Sequence, residues 1–167
     1  MKKLYFDTSA FVKIFVEKEE ESSIEVERLV TLVRDKKIIM VLSDWVINES
    51  IAVIDANNKE GTIDAVETQQ ILSEMTDMIE GKIRYENVEL YPVPEKVLIM
   101  SRMVIQDYHI GASDALHVFI SAAANCDYFI SGDRKLIRQL TTGKHRLSAF
   151  NIRVKVDRET LSRMLPS

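Results

Sequence analysis

Cysteine and glycine are scarce in this sequence, and each scarcity removes a class of protein. The one cysteine, Cys126, cannot form an intrachain disulfide, so we expect it to pack as a small apolar side chain in a reducing compartment. The five glycines are not clustered, which excludes a glycine-rich phosphate-binding loop. No apolar run approaches the ~18 residues of a membrane span, and Asp7 interrupts the N-terminal one. We therefore expect neither a membrane segment nor a signal peptide.

The charge balance is mildly acidic, which argues against a nucleic-acid-packaging protein. Lys and Arg number 22 against 26 Asp and Glu, giving a net charge of −4. Phosphate binding depends on Lys and Arg, so any contact with nucleic acid requires a local basic patch. The length of 167 residues and the hydrophobic content of 46% are those of a folded domain with a real core. We expect residues 1–167 to form a single domain.

Short apolar runs alternate with helical patterns along the whole chain. This alternation predicts an α/β fold, a three-layer α/β/α sandwich around a central, mainly parallel sheet. The predicted strands cover residues 3–7, 38–42, 88–93, 128–131 and 152–156. The predicted helices cover residues 9–16, 22–36, 43–58, 62–80, 95–107, 114–125 and 133–140, with a helical turn at 157–165. Ser9, Ser43, Ser113 and Asp133 are the expected N-caps.

Four acidic side chains lie at or near the borders of these elements. Asp7 closes the first strand, Asp114 opens a helix, and Asp133 follows the strand at 128–131. Glu49 lies about two turns into the helix that Ser43 caps. The edge where strands pass into helices carries the ligand crevice of an α/β sheet. Taken singly, each acid is also explained by helix capping or, for Glu49, by a solvated helix face.

A cluster of these carboxylates would repel itself unless a cation bound it. Hard oxygen ligands suit Mg²⁺ or Mn²⁺, which keep several waters and bridge to substrate phosphates. Such ions activate water and stabilise both the attacking and the leaving oxygen of a phosphodiester. Zinc is not expected, because Cys and His ligands at useful spacing are too few. His117 faces the same side of its helix as Asp114, and we prefer packing beneath the site, or a bond to a backbone carbonyl, over a role as ligand.

Four segments of the chain resemble the PIN-domain family, and most closely its VapC-like toxins. The segments are Tyr5-Phe6-Asp7-Thr8-Ser9-Ala10-Phe11-Val12-Lys13, Ser43-x5-Glu49, Ala112-Ser113-Asp114-Ala115-Leu116-His117 and Phe129-Ile130-Ser131-Gly132-Asp133-x2-Leu136. They occur in the family's order and span nearly the whole chain. The resemblance implies a central parallel sheet and a metal-dependent ribonuclease activity. It also implies that Asp7, Glu49, Asp114 and Asp133 bind the Mg²⁺ or Mn²⁺, with Ser131 supporting the site.

The resemblance further implies an RNA substrate, a cognate antitoxin protein, a homodimer and a cytoplasmic location. Two alternatives stay open: a PIN-fold interaction module that acts through a protein partner, and a stand-alone RNA-processing nuclease. The segment between Glu49 and Asp114 looks longer than in compact toxins, so residues 58–95 are a candidate clamp or dimer surface. A phosphatase with Asp7 as nucleophile is disfavoured, because Ser9 stands where a second acid would be required.

Basic and aromatic side chains near the motifs are the candidates for contact with RNA. Basic groups bind phosphates, and aromatic rings stack on unpaired bases. The basic candidates are Lys13, Arg134, Lys135, Arg138, Lys144 and Arg146. The aromatic candidates are Trp45, Phe11 and Tyr108, and for Trp45 and Phe11 packing in the core is the preferred interpretation.

Overall fold

The computed structural model describes residues 1–16, 21–80, 87–93 and 95–142, and its described strands form one parallel sheet. The strands are β1 (Lys2–Phe6), β2 (Ile38–Ser43), β3 (Val88–Tyr91) and β4 (Tyr128–Ile130), in the order β3-β2-β1-β4. Every pairing is parallel. The predicted strands at these positions are confirmed, with ends shifted by one or two residues. The strand expected at 152–156 and the helical turn at 157–165 lie outside the described residues.

Helices connect these strands and cover both faces of the sheet. They are α1 (Thr8–Val12), α2 (Glu21–Arg34), α3 (Asp44–Lys59), α4 (Ala65–Ile79), α5 (Glu95–Tyr108), α6 (Ala112–Ala123) and α7 (Arg134–Thr142). The crossovers from β1 to β2 and from β2 to β3 run one way along the sheet, and the crossover to β4 runs back. Because parallel crossovers are right-handed, opposite directions place helices on opposite faces. The predicted three-layer α/β/α class is therefore confirmed.

The middle of the sheet is buried on both faces. In β1, Leu4, Tyr5 and Phe6 each have 0% exposure, although successive strand residues point to opposite sides. A strand with polar residues at alternating positions would instead indicate a sheet with one face exposed to solvent. The core therefore lies on both sides of β1, and polar groups that reach it need partners inside the protein.

Two of the four predicted helix caps are correct. The Ser43 hydroxyl accepts the backbone N–H of Val46 at the start of α3. The Asp133 carboxylate accepts the backbone N–H groups of Lys135 and Leu136 at the start of α7. Both side chains satisfy amides that the first turn of a helix leaves without intrahelical partners.

The predictions that Ser9 and Ser113 act as N-caps were wrong. Helix α1 begins one residue earlier, because the Asp7 carboxylate accepts the backbone N–H of Ala10. Helix α6 begins at Ala112, so Ser113 lies within its first turn. Both serine hydroxyls donate to carboxylates instead, and these bonds bring them into the candidate site.

The buried stripe of the long helices is narrower than their apolar patterns predict. Val46 and Ile54 of α3 are buried as expected, but Ile51 is 43% exposed. Helix α4 buries Ile71, Met75 and Met78, whereas Val66 in its first turn is 78% exposed. Apolar spacing identifies the helix, and the packing partner then decides how much of the apolar face it covers.

Cys126 agrees with the expectation that it packs as a small apolar side chain. The cysteine packs against the core just before β4, and burial raises its pKa to about 12, so it acts as an apolar side chain. Within the ranges that the structure describes, no helix has the length and apolarity to cross a bilayer.

Candidate active site

The four acidic side chains singled out in the sequence lie around the carboxyl edge of the sheet. Asp7 directly follows β1, and Glu49 lies in the second turn of the helix that follows β2. Asp114 lies in the first turn of α6, and Asp133 precedes α7. Burial and the nearby charges of Asp133 and Glu49 raise the pKa of Asp114. The charges of Asp133 and Glu49 therefore both act on Asp114, as a common site requires.

Asp7 is a buried carboxylate, with only 4% of its surface exposed. Its Oδ1 accepts a hydrogen bond from the Ser9 hydroxyl at 2.7 Å and another from the backbone N–H of Ala10 at 2.9 Å. Burial raises the pKa of Asp7, while hydrogen bonds from Ser131, Ala10 and Ser9 act in the opposite direction. The local structure fixes the position of this carboxylate, and its burial disfavours its charge.

Ser9 and Ser131 join the ends of β1 and β4 beside Asp7. Their hydroxyl oxygens lie 3.3 Å apart, and the Gly132 N–H donates to Ser9 Oγ at 2.8 Å. The Asp133 N–H donates to Ser131 Oγ at 3.0 Å. A Cβ on Gly132 would stand 3.2 Å from Lys13 Cε and 3.3 Å from Ser9 Oγ, so this close approach favours glycine. The structure thus places Ser131 next to both Asp7 and Asp133.

Glu49 is held by three side chains from two other helices. Its carboxylate accepts from Thr8 Oγ1 at 2.5 Å, lies 2.7 Å from His117 Nε2, and receives a short bond from the Ser113 hydroxyl. Burial opposes the ionisation of Glu49, but the bonds from His117, Ser113 and Thr8 outweigh it and lower its pKa to about 2. Glu49 is therefore ionised and oriented at neutral pH, and a solvated helix face is the wrong description of its position.

His117 packs beneath the site, one of its two expected roles, and bonds to side chains where a backbone carbonyl was the other expected partner. This residue is 2% exposed, and its Nδ1 lies 2.9 Å from the Tyr5 hydroxyl while its Nε2 faces Glu49. Tyr5 was missed by reasoning from sequence, because it looks like an ordinary core aromatic on a buried strand. One signal was available: a buried tyrosine hydroxyl needs a hydrogen-bond partner, and a strand-end position directs that search to the site.

Basic and aromatic groups border the acidic side chains. Arg134 and Lys135 are exposed at the start of α7, directly after Asp133. Trp45 is 38% exposed and donates its indole N–H to Ser113 Oγ at 3.0 Å, so the preference for core packing was wrong. Phe11 has 0% exposure and packs in the core as preferred. The side chain of Tyr108, and all of Lys144 and Arg146, lie outside the described part of the chain.

The oxygen donors at this edge are of the type that hard divalent cations bind. Among the described residues, no three Asp, Glu, His or Cys side chains come close enough together to hold an ion. Mg²⁺ does not require such a cage, because it keeps several waters and binds through one or two carboxylates. Asp114 lies where the charges of Asp133 and Glu49 raise its pKa, and a cation relieves that repulsion. The residues present therefore fit a hydrated Mg²⁺ or Mn²⁺.

The fold and this edge define the class of protein. It is an α/β domain with a parallel sheet and acidic side chains at its carboxyl edge. A family model described as the PIN domain matches residues 4–140, and the chain belongs to that family. No match to a curated protein was found by sequence.

Several solved structures share the fold, and two of them are toxin-family structures. One is the Mycobacterium tuberculosis toxin VapC20, described as cleaving the sarcin–ricin loop, with 11% identity and a TM-score of 0.57 over 80% of this chain and 92% of that one. The other is VapBC2 from Rickettsia felis bound to a promoter DNA fragment, with 16% identity and a TM-score of 0.54 over 81% of this chain and 92% of that one. At these identities the likeness concerns the fold.

Proposed function

We propose that this protein is a divalent-metal-dependent endoribonuclease that hydrolyses RNA phosphodiester bonds. The observation that carries the proposal is the placement of Glu49, Asp114 and Asp133, acids from separate segments of the chain, at the carboxyl edge of the sheet, where the charges of Asp133 and Glu49 raise the pKa of Asp114. Helix capping does not require carboxylates to lie close enough for their charges to repel one another. A cation site does, because the cation offsets that repulsion. Membership of the PIN domain family supports the same conclusion.

The four acids would contribute in different ways to binding the ion. Bound Mg²⁺ or Mn²⁺ would supply positive charge that offsets the carboxylates and stabilises negative charge developing on the phosphate. Asp7, Glu49, Asp114 and Asp133 would surround it, one or two of them as direct ligands and the others through its bound waters, with Asp7 kept in place by Ser9 and Ala10. Glu49 keeps its charge and its orientation at neutral pH. Ser131 would support Asp7 through its hydroxyl.

Side chains around the acids would engage the RNA on either side of the scissile bond. Arg134 and Lys135 are exposed beside Asp133 and would contact backbone phosphates, as would Lys13 over Gly132. The half-exposed ring of Trp45 would stack on an unpaired base. Stacking requires a base outside a duplex, so we propose single-stranded or loop RNA as the substrate.

We further propose that the enzyme is the toxin of a type II toxin–antitoxin pair, acting in the cytoplasm as a homodimer. The similar folds include VapC20, a cleaving toxin, and VapBC2, a complex bound to promoter DNA. An antitoxin arginine would fit the acidic edge, because a guanidinium pairs with a carboxylate through two parallel hydrogen bonds. A short neighbouring gene that encodes a DNA-binding protein would support this assignment. The absence of such a gene would support a stand-alone nuclease.

Cleavage of unstructured RNA by purified protein tests the nuclease proposal. We expect cleavage with Mg²⁺ or Mn²⁺, none with EDTA, and a loss of at least ~100-fold in Asp7→Asn and Asp114→Asn. Asp35→Asn is the matched control, because Asp35 is exposed and pairs with Lys37 at 3.4 Å. Full activity of Asp7→Asn, in a preparation free of other nucleases, would contradict the proposal.

Metal titration separates the nuclease from an interaction module with the same fold. Binding of Mn²⁺ to the folded state raises the melting temperature, and Asp114→Asn should reduce that rise. A protein that shows no shift at millimolar Mn²⁺ and cleaves no RNA would instead be a module that acts through a protein partner.

A further inference from the structure

A line of hydrogen bonds runs through the core to Glu49. It begins at the backbone N–H of Val46, which donates to Ser43 Oγ at 3.2 Å. Ser43 Oγ lies 3.0 Å from Tyr5 Oη, which in turn lies 2.9 Å from His117 Nδ1. The other ring nitrogen of His117 lies 2.7 Å from Glu49 Oε2. The three side chains between the ends are each at most 2% exposed, so water does not complete their hydrogen bonding.

The Glu49 end of this line sets the direction of its bonds. The ionised carboxylate of Glu49 can only accept, so His117 Nε2 must carry the proton that points at it. In the neutral imidazole Nδ1 is then an acceptor, so Tyr5 directs its proton to Nδ1 and Ser43 directs its own to Tyr5 Oη. Thr8 Oγ1 lies 3.3 Å from His117 Nε2 and borders the same proton.

We infer that Ser43, Tyr5 and His117 form a positioning relay that sets the His117 tautomer and thereby the orientation of the Glu49 carboxylate. None of the three side chains touches solvent, so they act through Glu49 and do not contact RNA. The inference rests on the proposed function, in which Glu49 helps to hold the metal ion. Partners behind a metal-binding group commonly change affinity or activity 10–100-fold when they are altered.

The Tyr5 hydroxyl is the observation that separates a relay from ordinary packing. The Tyr5 ring stacks on Phe129 at a centroid distance of 5.8 Å, a contact that phenylalanine would make equally well. Burying a hydroxyl without partners destabilises the fold, so packing alone favours phenylalanine at this position. The hydroxyl instead bridges the Ser43 hydroxyl and Nδ1 of His117, and His117 contacts Glu49.

The test combines Tyr5→Phe, His117→Leu and His117→Gln with Tyr128→Phe as control. Tyr128 lies on β4, beside Leu4 of β1, and its hydroxyl meets only the exposed Lys2 among the contacts described for it. The assays are Mn²⁺ affinity from the electron paramagnetic resonance signal of free Mn²⁺, and kcat and KM for RNA. Circular dichroism checks that each variant is folded.

We expect His117→Leu to weaken Mn²⁺ binding and lower kcat by ~10-fold or more, with KM for RNA unchanged. His117→Gln keeps a side-chain N–H and should recover part of both losses. Tyr5→Phe should lower Mn²⁺ affinity and kcat several-fold. It should have no further effect in a His117→Leu background, because the two substitutions act through the same bond. Tyr128→Phe should match the wild type.

Nitrogen-15 NMR of the wild-type protein at pH 8 reads the tautomer directly and needs no activity. We expect the His117 proton on Nε2, assigned by its loss in His117→Gln. A proton on Nδ1, or a folded Tyr5→Phe with wild-type Mn²⁺ affinity and kcat, would overturn the relay while leaving the nuclease proposal intact. Wild-type protein that neither binds Mn²⁺ nor cleaves RNA would overturn both.

Discussion

The imidazole of His117 and the carboxylate of Glu49 lie side by side, with Nε2 2.7 Å from Oε2. The two residues are 68 positions apart, on α6 and α3, and Thr8 of α1 meets the same carboxylate oxygen. Helices that belong to crossovers on opposite faces of the sheet thus contact each other at its carboxyl edge. The bonds that hold Glu49 also lower its pKa, so its position and its charge have the same physical origin.

Replacing Asp7 with asparagine should abolish cleavage and stabilise the metal-free fold. Burial raises the folded-state pKa of Asp7 above its unfolded value. The stability it contributes is therefore present below about pH 4 and is lost as the pH rises through the folded pKa. Asparagine keeps an oxygen for Ser9 and Ala10 without the charge. In EDTA at pH 7.5, calorimetry should show a melting temperature at least ~2 °C higher, the shift that ~1 kcal/mol gives at this size.

The stabilisation by Asp7→Asn should disappear near pH 3, where the wild-type carboxyl is protonated in both states. Asp35→Asn, at an exposed position, should change the melting temperature by less than ~1 °C at either pH. An Asp7→Asn protein that melts below the wild type at pH 7.5 would show that the charge of Asp7 stabilises the fold.

Replacing Glu49 with glutamine should destabilise the protein at neutral pH. Both oxygens of Glu49 accept bonds, from Ser113 on one side and from Thr8 and His117 on the other. In glutamine, an NH₂ group replaces one of these two oxygens. In either position the NH₂ points at a group that also donates, so a buried donor is left without an acceptor. We expect a loss of ~1 kcal/mol or more, measured by urea unfolding.

The pH dependence of that loss follows from the pKa of Glu49, which is lowered to about 2. A depressed acid contributes stability above its unfolded pKa of ~4.3, and that contribution is lost as the pH falls through the folded pKa. The difference between wild type and Glu49→Gln should therefore shrink between pH 4 and pH 2. Glu74→Gln, at an exposed position on α4, is the control. A difference that is constant across this range would contradict the prediction.

Replacing Gly132 with alanine should impair cleavage through crowding of the Ser9 cluster. The added Cβ would meet Lys13 Cε at 3.2 Å, Ser9 Oγ at 3.3 Å and Ser9 O at 3.4 Å. Ser9 must then shift, and its bond to Asp7 shifts with it. We expect a loss of ~1 kcal/mol in stability and of about 10-fold or more in kcat.

Gly61→Ala provides a matched control for this substitution. Gly61 has φ +75°, where a Cβ is strained, yet a Cβ there would meet nothing within 4 Å. It should lose ~1 kcal/mol of stability with kcat unchanged. Equal effects of the two substitutions on kcat would mean that activity follows stability alone.

Replacing Trp45 with alanine should raise KM for RNA. The ring is 38% exposed, and stacking on a base is worth ~1–3 kcal/mol, so we expect an increase of about 5-fold or more. Trp45→Phe keeps a ring but loses the N–H that meets Ser113, so it should lower kcat more than it raises KM. Val66→Ala, at a position 78% exposed on α4, should leave both constants unchanged. A wild-type KM in Trp45→Ala would exclude stacking.

Much of the fold is readable from local pattern, because strand and helix periods depend on neighbours within a few residues. The alternation predicted the described strands in order, and Ser43 and Asp133 were identified as caps from their positions before apolar helices. The acids were found for the same reason, since strand ends and helix starts mark the ligand edge of an α/β sheet.

Local sequence pattern was therefore enough to predict the class of fold, the order of its elements and the acids at its edge. The partner of each polar side chain depends instead on contacts between distant segments. Ser9 and Ser113 bond to carboxylates, and His117 bonds to Tyr5 and Glu49. A hydroxyl or imidazole bonds to whichever partner the fold brings within ~3 Å, and here the crossovers bring partners from distant segments.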